Sequence, residues 1–196
     1  MENSVGLRER KKEATRQAVH EATLRLTVEH GFDHVTVEAV ADAAGISRRT
    51  FSNYFTNKED ALLHGEERRT RALVRLVRDR PAEEPAWTAL RGAMLQFATQ
   101  APPWNREWAV HTRLALRHPS LLARQLANHA ALERDLAEAV ADRPGPTARP
   151  VRPLILAAGF LSSLRIAMRT WIEEAPDREP SELIAEALEE MGRSFE

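Results

Sequence analysis

Arg48 and Arg49 stand side by side directly after Ser47, and Thr50, Asn53 and Tyr54 follow within one further turn. A guanidinium forks onto guanine O6 and N7 in the major groove, while hydroxyls and amides suit phosphates or base edges. Such a set recognises nucleic acid by hydrogen bonding and breaks no covalent bond. To work, it must sit on a short helix held outward by its neighbours. Thr36 is an N-cap type that opens a helix ending near Gly45, Ser47 launches a second, and Lys58 begins a longer third. Gly45 supplies the tight turn because glycine adopts φ > 0 at little cost. Two short helices joined in this way form a helix-turn-helix reader of DNA. Thr36 and Lys58 also occupy helix N-termini, where backbone N–H groups and the dipole favour a phosphate. Val40, Ala41, Ala44, Ile46, Phe51 and Phe55 supply the apolar side that packs the pair.

The chain has 196 residues, 43% hydrophobic and 29% charged, ordinary for a protein that buries a real core. It has no cysteine, which excludes disulfides, thiolate metal sites and cysteine nucleophiles. No serine sits in a nucleophile elbow and no glycine-rich phosphate loop occurs, so neither an enzyme nor a bound cofactor or metal is expected. No run approaches ~18 apolar residues and no signal-type segment opens the chain, so a cytoplasmic protein without membrane contact is expected. The net charge of −1 alone argues against nucleic acid. Its distribution argues otherwise: Arg8, Arg10, Lys11, Lys12 and Arg16 crowd the amino end, where an arm bearing Arg10 and Lys11 could touch DNA.

Helical periodicity dominates and strand-like alternation is absent, so an all-α fold of about nine helices is predicted. The first helix spans about 7–30, with Ala18, Ala22, Leu26 and their neighbours Val19 and Leu24 inward and Gly31 as its left-handed cap. Thr56 or Asn57 caps the helix that starts at Lys58 and ends before Pro81. Further helices are expected over about 86–100, 104–117, 119–142, 153–174 and 181–194, with 80–85 as a linker. The division is 1–65, a three-helix DNA-binding domain, and 66–196, a helical bundle for effector binding and dimerisation.

The run Gly31-Phe32, Thr36-Val37, Val40-Ala41, Ala44-Gly45-Ile46-Ser47, Thr50-Phe51, Tyr54-Phe55 and Lys58-Glu59 resembles the N-terminal domain of the tetracycline-repressor family. The resemblance covers roughly residues 10–65 and is specific in spacing. It implies a homodimeric transcription regulator on a palindromic double-stranded DNA operator, with a small effector in the body. By the same analogy Thr36, Thr50, Tyr54 and Lys58 grip phosphates, and Arg48, Arg49 and Asn53 face bases. Two positions depart from the pattern. Ser52 stands where many members have tyrosine, and Thr27 where the family usually has phenylalanine.

The segment 153–174 is the most apolar, with Leu154, Leu161, Met168 and Ile172 on one stripe and Arg165 at its centre. Such a helix needs cover on both sides. In a dimer, Leu156, Phe160 and Ser163 would meet the partner together with Leu183, Ala187, Leu188 and Met191 of the last helix. Arg165 admits two readings: a structural ion pair, either with Glu133 on an inner stripe of Leu122, Leu126, His129, Leu136 and Val140 or across an interface, or an anchor for an acidic effector. Trp104, Trp108 and His111 share a helix face and, with Met94 and Phe97, either line an effector pocket or fill the core. The order His111, Arg113-Leu114, His118-Pro119 through Trp171-Ile172-Glu173 resembles the C-terminal domain of regulators associated with mycofactocin gene clusters. That resemblance implies an acyl-thioester or lipid-like effector. The combined expectation is a ligand-released repressor. Its rivals are an effector-independent activator or DNA binder, and a small-molecule binding protein with a vestigial helix-turn-helix.

Overall fold

A computed structural model describes residues 2–100, 109, 118–144, 150–175 and 177–193, with side chains from residue 8 onward except that of Gln100. The described elements are α1 (Glu2–His30), a 3-10 turn (Phe32–His34), α2 (Val37–Ala43), α3 (Arg48–Ser52), α4 (Lys58–Arg78), α5 (Ala86–Gln100), α6 (Pro119–Val140), α7 (Arg152–Glu173) and α8 (Pro180–Gly192). Every regular element among the described residues is helical, as the periodicity predicts. The helix expected over 104–117 lies outside the described residues, apart from Ala109.

The chain divides into two compact units. The first comprises 1–69 together with 111–126; the second comprises 70–110 and 127–196. The first boundary falls inside α4, four residues after the predicted break at 65/66, and the first unit also takes in the start of α6, which the division into 1–65 and 66–196 gives to the second. A helix has no reason to stop where one core gives way to another.

The core of the first unit gathers Val19, Ala22, Val35, Val40, Ala41, Phe51, Phe55 and Ala61. On α1 the inward stripe is Val19, Ala22, Thr23 and Thr27; Val19 and Ala22 are buried as expected, Leu24 and Leu26 are half-buried, and Ala18 is exposed, contrary to expectation. The two buried threonines satisfy their hydroxyls along the helix, Thr23 on Val19 O at 2.7 Å and Thr27 on Thr23 O at 2.8 Å. A polar residue in the place of phenylalanine therefore leaves no orphaned group. Gly31 takes φ 78° with ψ 146°, which is not the left-handed helical cap expected but the extended, positive-φ region reserved for glycine.

The core of the second unit is built from α4's last turns, α5, α6, α7 and α8, including Val77, Leu90, Phe97, Leu136, Phe160 and Leu188. Arg143 closes the carboxyl end of α4, donating to Val77 O at 2.7 Å, Pro81 O at 2.5 Å and Arg80 O at 3.0 Å. Arg80 in turn forks onto Glu84, so the turn after α4 is clamped by two guanidinium groups.

Helix α7 is 22 residues long with a best mean hydropathy of 1.2, enough by length and composition to cross a membrane, contrary to the expectation that no segment qualifies. Its place in the protein is a core helix: Leu156, Ala157, Phe160, Leu161, Ala167 and Trp171 are buried among the chain's own helices. The residues predicted at a dimer seam need the same correction. Leu156, Phe160, Ser163, Leu183 and Leu188 are buried within the single chain, and Ala187 and Met191 are half-buried. An apolar stripe read from sequence does not say which of two covers it meets, and here the nearer one took it. The outward face of α7 is instead Leu154, Ile155, Ala158, Ser162, Arg165, Ile166 and Arg169, all exposed or half-buried.

Candidate nucleic-acid interface

The predicted caps are in place. Thr36 Oγ1 accepts from Ala39 N at 3.1 Å and Ser47 Oγ from Thr50 N at 3.0 Å, so each closes the first turn of its helix. Asn57, and not Thr56, caps α4 by accepting from Asp60 N at 2.8 Å. Gly45 sits at φ 67°, and Ile46 N donates to Ala41 O at 2.9 Å, which locks the turn between α2 and α3. Phe51, 1% exposed, is the anchor of α3. Burying a phenylalanine contributes ~1.5–3 kcal/mol, far more than a five-residue helix holds by itself. At ~100° per residue that anchor turns Arg49 and Asn53 to the opposite side. Arg48, Arg49, Ser52 and Asn53 are exposed, while Thr50 and Tyr54 are half-buried. Asn53 lies just past the helix as its C-cap, its N–H bonded to Arg49 O and Thr50 O.

Arg48 is also tied across the motif. Its Nη1 lies 2.8 Å from Glu38 Oε1 of α2, a pair with both side chains largely in solvent. Glu38 escaped notice in the sequence because the nine intervening positions include a turn of unknown geometry. Arg16 of α1 lies over the Tyr54 ring, 5.7 Å from its centroid, linking the basic amino end to the reading face. Lys11 and Arg10 are exposed on α1, within the span predicted to be helical.

Lys58 departs from its predicted role. Its ammonium donates to Phe32 O at 2.8 Å and Val35 O at 2.9 Å and sits 4.3 Å from the centroid of the Phe32 ring. The charge fastens the 3-10 turn to α4, bridging the carbonyl of its first residue, Phe32, and that of Val35 just past its end.

The effector residues are not brought together among the described residues. Met94 and Phe97, 2% and 9% exposed, pack in the second unit's core, and Trp104, Trp108 and His111 lie outside the described residues. Arg165 is exposed and makes no ion pair with Glu133, which is half-buried. The stripe assumed to hold Glu133 breaks in two: Leu136 and Val140 are buried, but Leu122 and Leu126 are 46% and 62% exposed and His129 is exposed. A groove of about 500 Å³ that the sequence did not suggest runs between α5 and the end of α8, lined by Arg80, Trp87, Arg91, Leu95 and Arg193.

A capped recognition helix with outward arginines, on a three-helix head followed by a helical bundle, defines a helix-turn-helix transcription regulator. Residues 20–64 match the bacterial regulatory proteins of the tetR family, and residues 84–196 match the MftR C-terminal domain. The chain is 32% identical to the HTH-type transcriptional regulator TcmR of Streptomyces glaucescens, over 86% of this chain and 78% of the relative. It is 28% identical to the putative mycofactocin biosynthesis transcriptional regulator MftR of Mycobacterium tuberculosis, over 91% and 88%. Among solved structures it resembles Thermus thermophilus FadR in complex with lauroyl-CoA, with a TM-score of 0.59, 20% identity and coverage of 92% and 95%. It also resembles SmeT, repressor of a Stenotrophomonas maltophilia efflux pump, with a TM-score of 0.63, 17% identity and coverage of 94% and 91%. The chain belongs to the tetR family of transcriptional regulators, with a body of the MftR C-terminal type.

Proposed function

We propose that this regulator is a ligand-released, homodimeric repressor acting in the cytoplasm on a palindromic operator, its two heads in successive major grooves about 34 Å apart. The observation that carries the reading is the attitude of α3: Phe51 is fixed inward, Arg49 and Asn53 are thereby turned to the opposite side, and Arg48 is exposed beside them. In this reading Arg48, Arg49 and Asn53 face bases. Thr36, Thr50 and Tyr54 hold phosphates, Arg10 and Lys11 of α1 add further contacts, and Lys58 contributes through the turn that it fastens. For the effector we favour an apolar-tailed ligand of acyl-thioester type. The MftR-type body and the acyl-CoA carried by the Thermus thermophilus and Bacillus subtilis FadR structures support that class.

The test is selection of duplexes from the source genome, followed by titration of the recovered sequence at several salt concentrations. Arg49→Ala is expected to relax preference at one base pair by ~1–3 kcal/mol while other positions keep theirs. Uniform weakening with preference intact would move Arg49 to the backbone. Failure of the wild type to hold any duplex at low salt would reject the reading outright.

A further inference from the structure

Within the first unit, the start of α6 is bolted to the base of the reading head. Leu121 is fully buried against Phe32, Leu62 and Leu63. Around it lie three polar ties. His118 Nε2 meets Asp33 Oδ1 at 2.9 Å, Ser120 Oγ donates to Glu59 Oε1 at 3.1 Å, and Arg124 Nη2 meets Asp60 Oδ1 at 2.7 Å. The His118 ring also stands edge-on to Phe32, 5.1 Å between centroids, on the side chain over which Lys58 lies.

These ties converge on two short stretches. One is the 3-10 turn Phe32–His34, which ends two residues before the cap of α2; the other is the first turn of α4, which follows α3. The helix-turn-helix is therefore held at both its entry and its exit by a segment some sixty residues or more further along the chain. Asp60 is 16% exposed and Arg124 48%, so the carboxylate end of the pair is largely desolvated while the guanidinium keeps contact with solvent. Removing the cation leaves a mostly buried carboxylate without its partner. The same helix continues without interruption to Leu136, Ala137 and Val140, which belong to the core of the second unit.

We propose that His118, Ser120, Leu121 and Arg124 are positioning residues for DNA reading, a latch that sets the attitude of α2 and α3. It is the element through which a change along α6 alters operator affinity. A latch of this kind couples two sites only if its closed form binds the operator better than its open form. This rests on the operator-binding reading, but its mechanical half can be read without DNA.

The experiment compares full-length wild type, Arg124→Asp, and the double charge exchange Arg124→Asp with Asp60→Arg. Amide hydrogen exchange of the free proteins is followed by titration of the selected operator. In Arg124→Asp, residues 32–37 and 58–63 are expected to exchange several-fold faster, with α5 unchanged. Operator affinity should fall about tenfold at unaltered base preference, within the usual span of coupling factors. The double exchange should restore most of both. Wild-type exchange at residues 32–37 in Arg124→Asp would overturn the latch whether or not the protein binds DNA. So would an affinity loss that the double exchange leaves in place, since the loss would then follow net charge. If wild type holds no duplex, the exchange data still decide the latch and only the operator reading falls.

Discussion

A lysine ammonium has three donors, and at Lys58 two of them reach carbonyls 26 and 23 residues back in the chain. Hydrogen bonds from a charged donor contribute ~1.5–3 kcal/mol each, so a half-buried residue with two of them bears on stability before it bears on DNA. Lys58→Met keeps the apolar stem over the Phe32 ring and removes the donors. Denaturant unfolding should show a loss of about 1–3 kcal/mol. The salt dependence of operator binding should change by well under one counterion. If instead the unfolding midpoint holds and the slope of log affinity against log salt flattens by about one unit, the ammonium is a phosphate ligand after all. The same residue marks how far the sequence reaches. Caps at Thr36, Ser47 and Asn57 were legible because donor and acceptor lie three residues apart. The partners of Lys58, Arg124 and Arg143 were not, because nothing local to a cation says which distant carbonyl or carboxylate will face it.

Between elements, the packing of α1 on α4 turns on a buried imidazole. His20 is 7% exposed, and its Nδ1 meets Ala61 O at 3.0 Å. A carbonyl only accepts, so Nδ1 carries the proton in the neutral ring. The other nitrogen faces Gly65, where an added Cβ would come to 2.6 Å from Nε2. Glycine within α4 is unfavourable by about 1 kcal/mol against alanine. The close approach of the ring explains why it stands there. Burial pushes the His20 pKa below its ordinary value, the Ala61 hydrogen bond opposing in part. The unfolded chain therefore takes up a proton near pH 6.5 that the folded one refuses until lower pH. Stability attached to this group is intact above that value and falls as the medium is acidified through it. His20→Gln should flatten the decline of the melting temperature below pH 6.5 relative to wild type, and parallel curves would show that His20 is not the group responsible. The periodicity of α1 gave its length and its apolar character, but not this residue. Histidine counts as polar in any such pattern, and although Val19 and Ala22 were legible as inward, Ala18 beside them is exposed.

For the molecule as a whole, the question is what covers the outward side of α7. Leu154, Ile155, Val151 and Ile166 are 47%, 51%, 56% and 41% exposed, an unusual concentration on one helix whose opposite side is already buried. Ala158 and Ser162 lie between the isoleucines on the same face, and small residues there let a second helix come close. Bulky ends and a small centre suit a helix crossing its own copy about a two-fold axis, the isologous arrangement that a palindromic operator requires. On that view the seam is real but rotated by about a third of a turn from the one drawn through Leu156 and Phe160, which are committed to the core. Ile155→Arg with Ile166→Arg should leave the fold in place, because neither side chain packs inside the protomer. In sedimentation the variant should run near 22.1 kDa and the wild type near twice that mass. Its melting temperature should no longer rise with protein concentration. Operator affinity should drop towards that of a single half-site, since two heads bound independently lose the effective concentration a dimer provides. A variant that remains dimeric with undiminished operator affinity would place the seam on another face, and the exposed stripe of α7 would then need a different occupant.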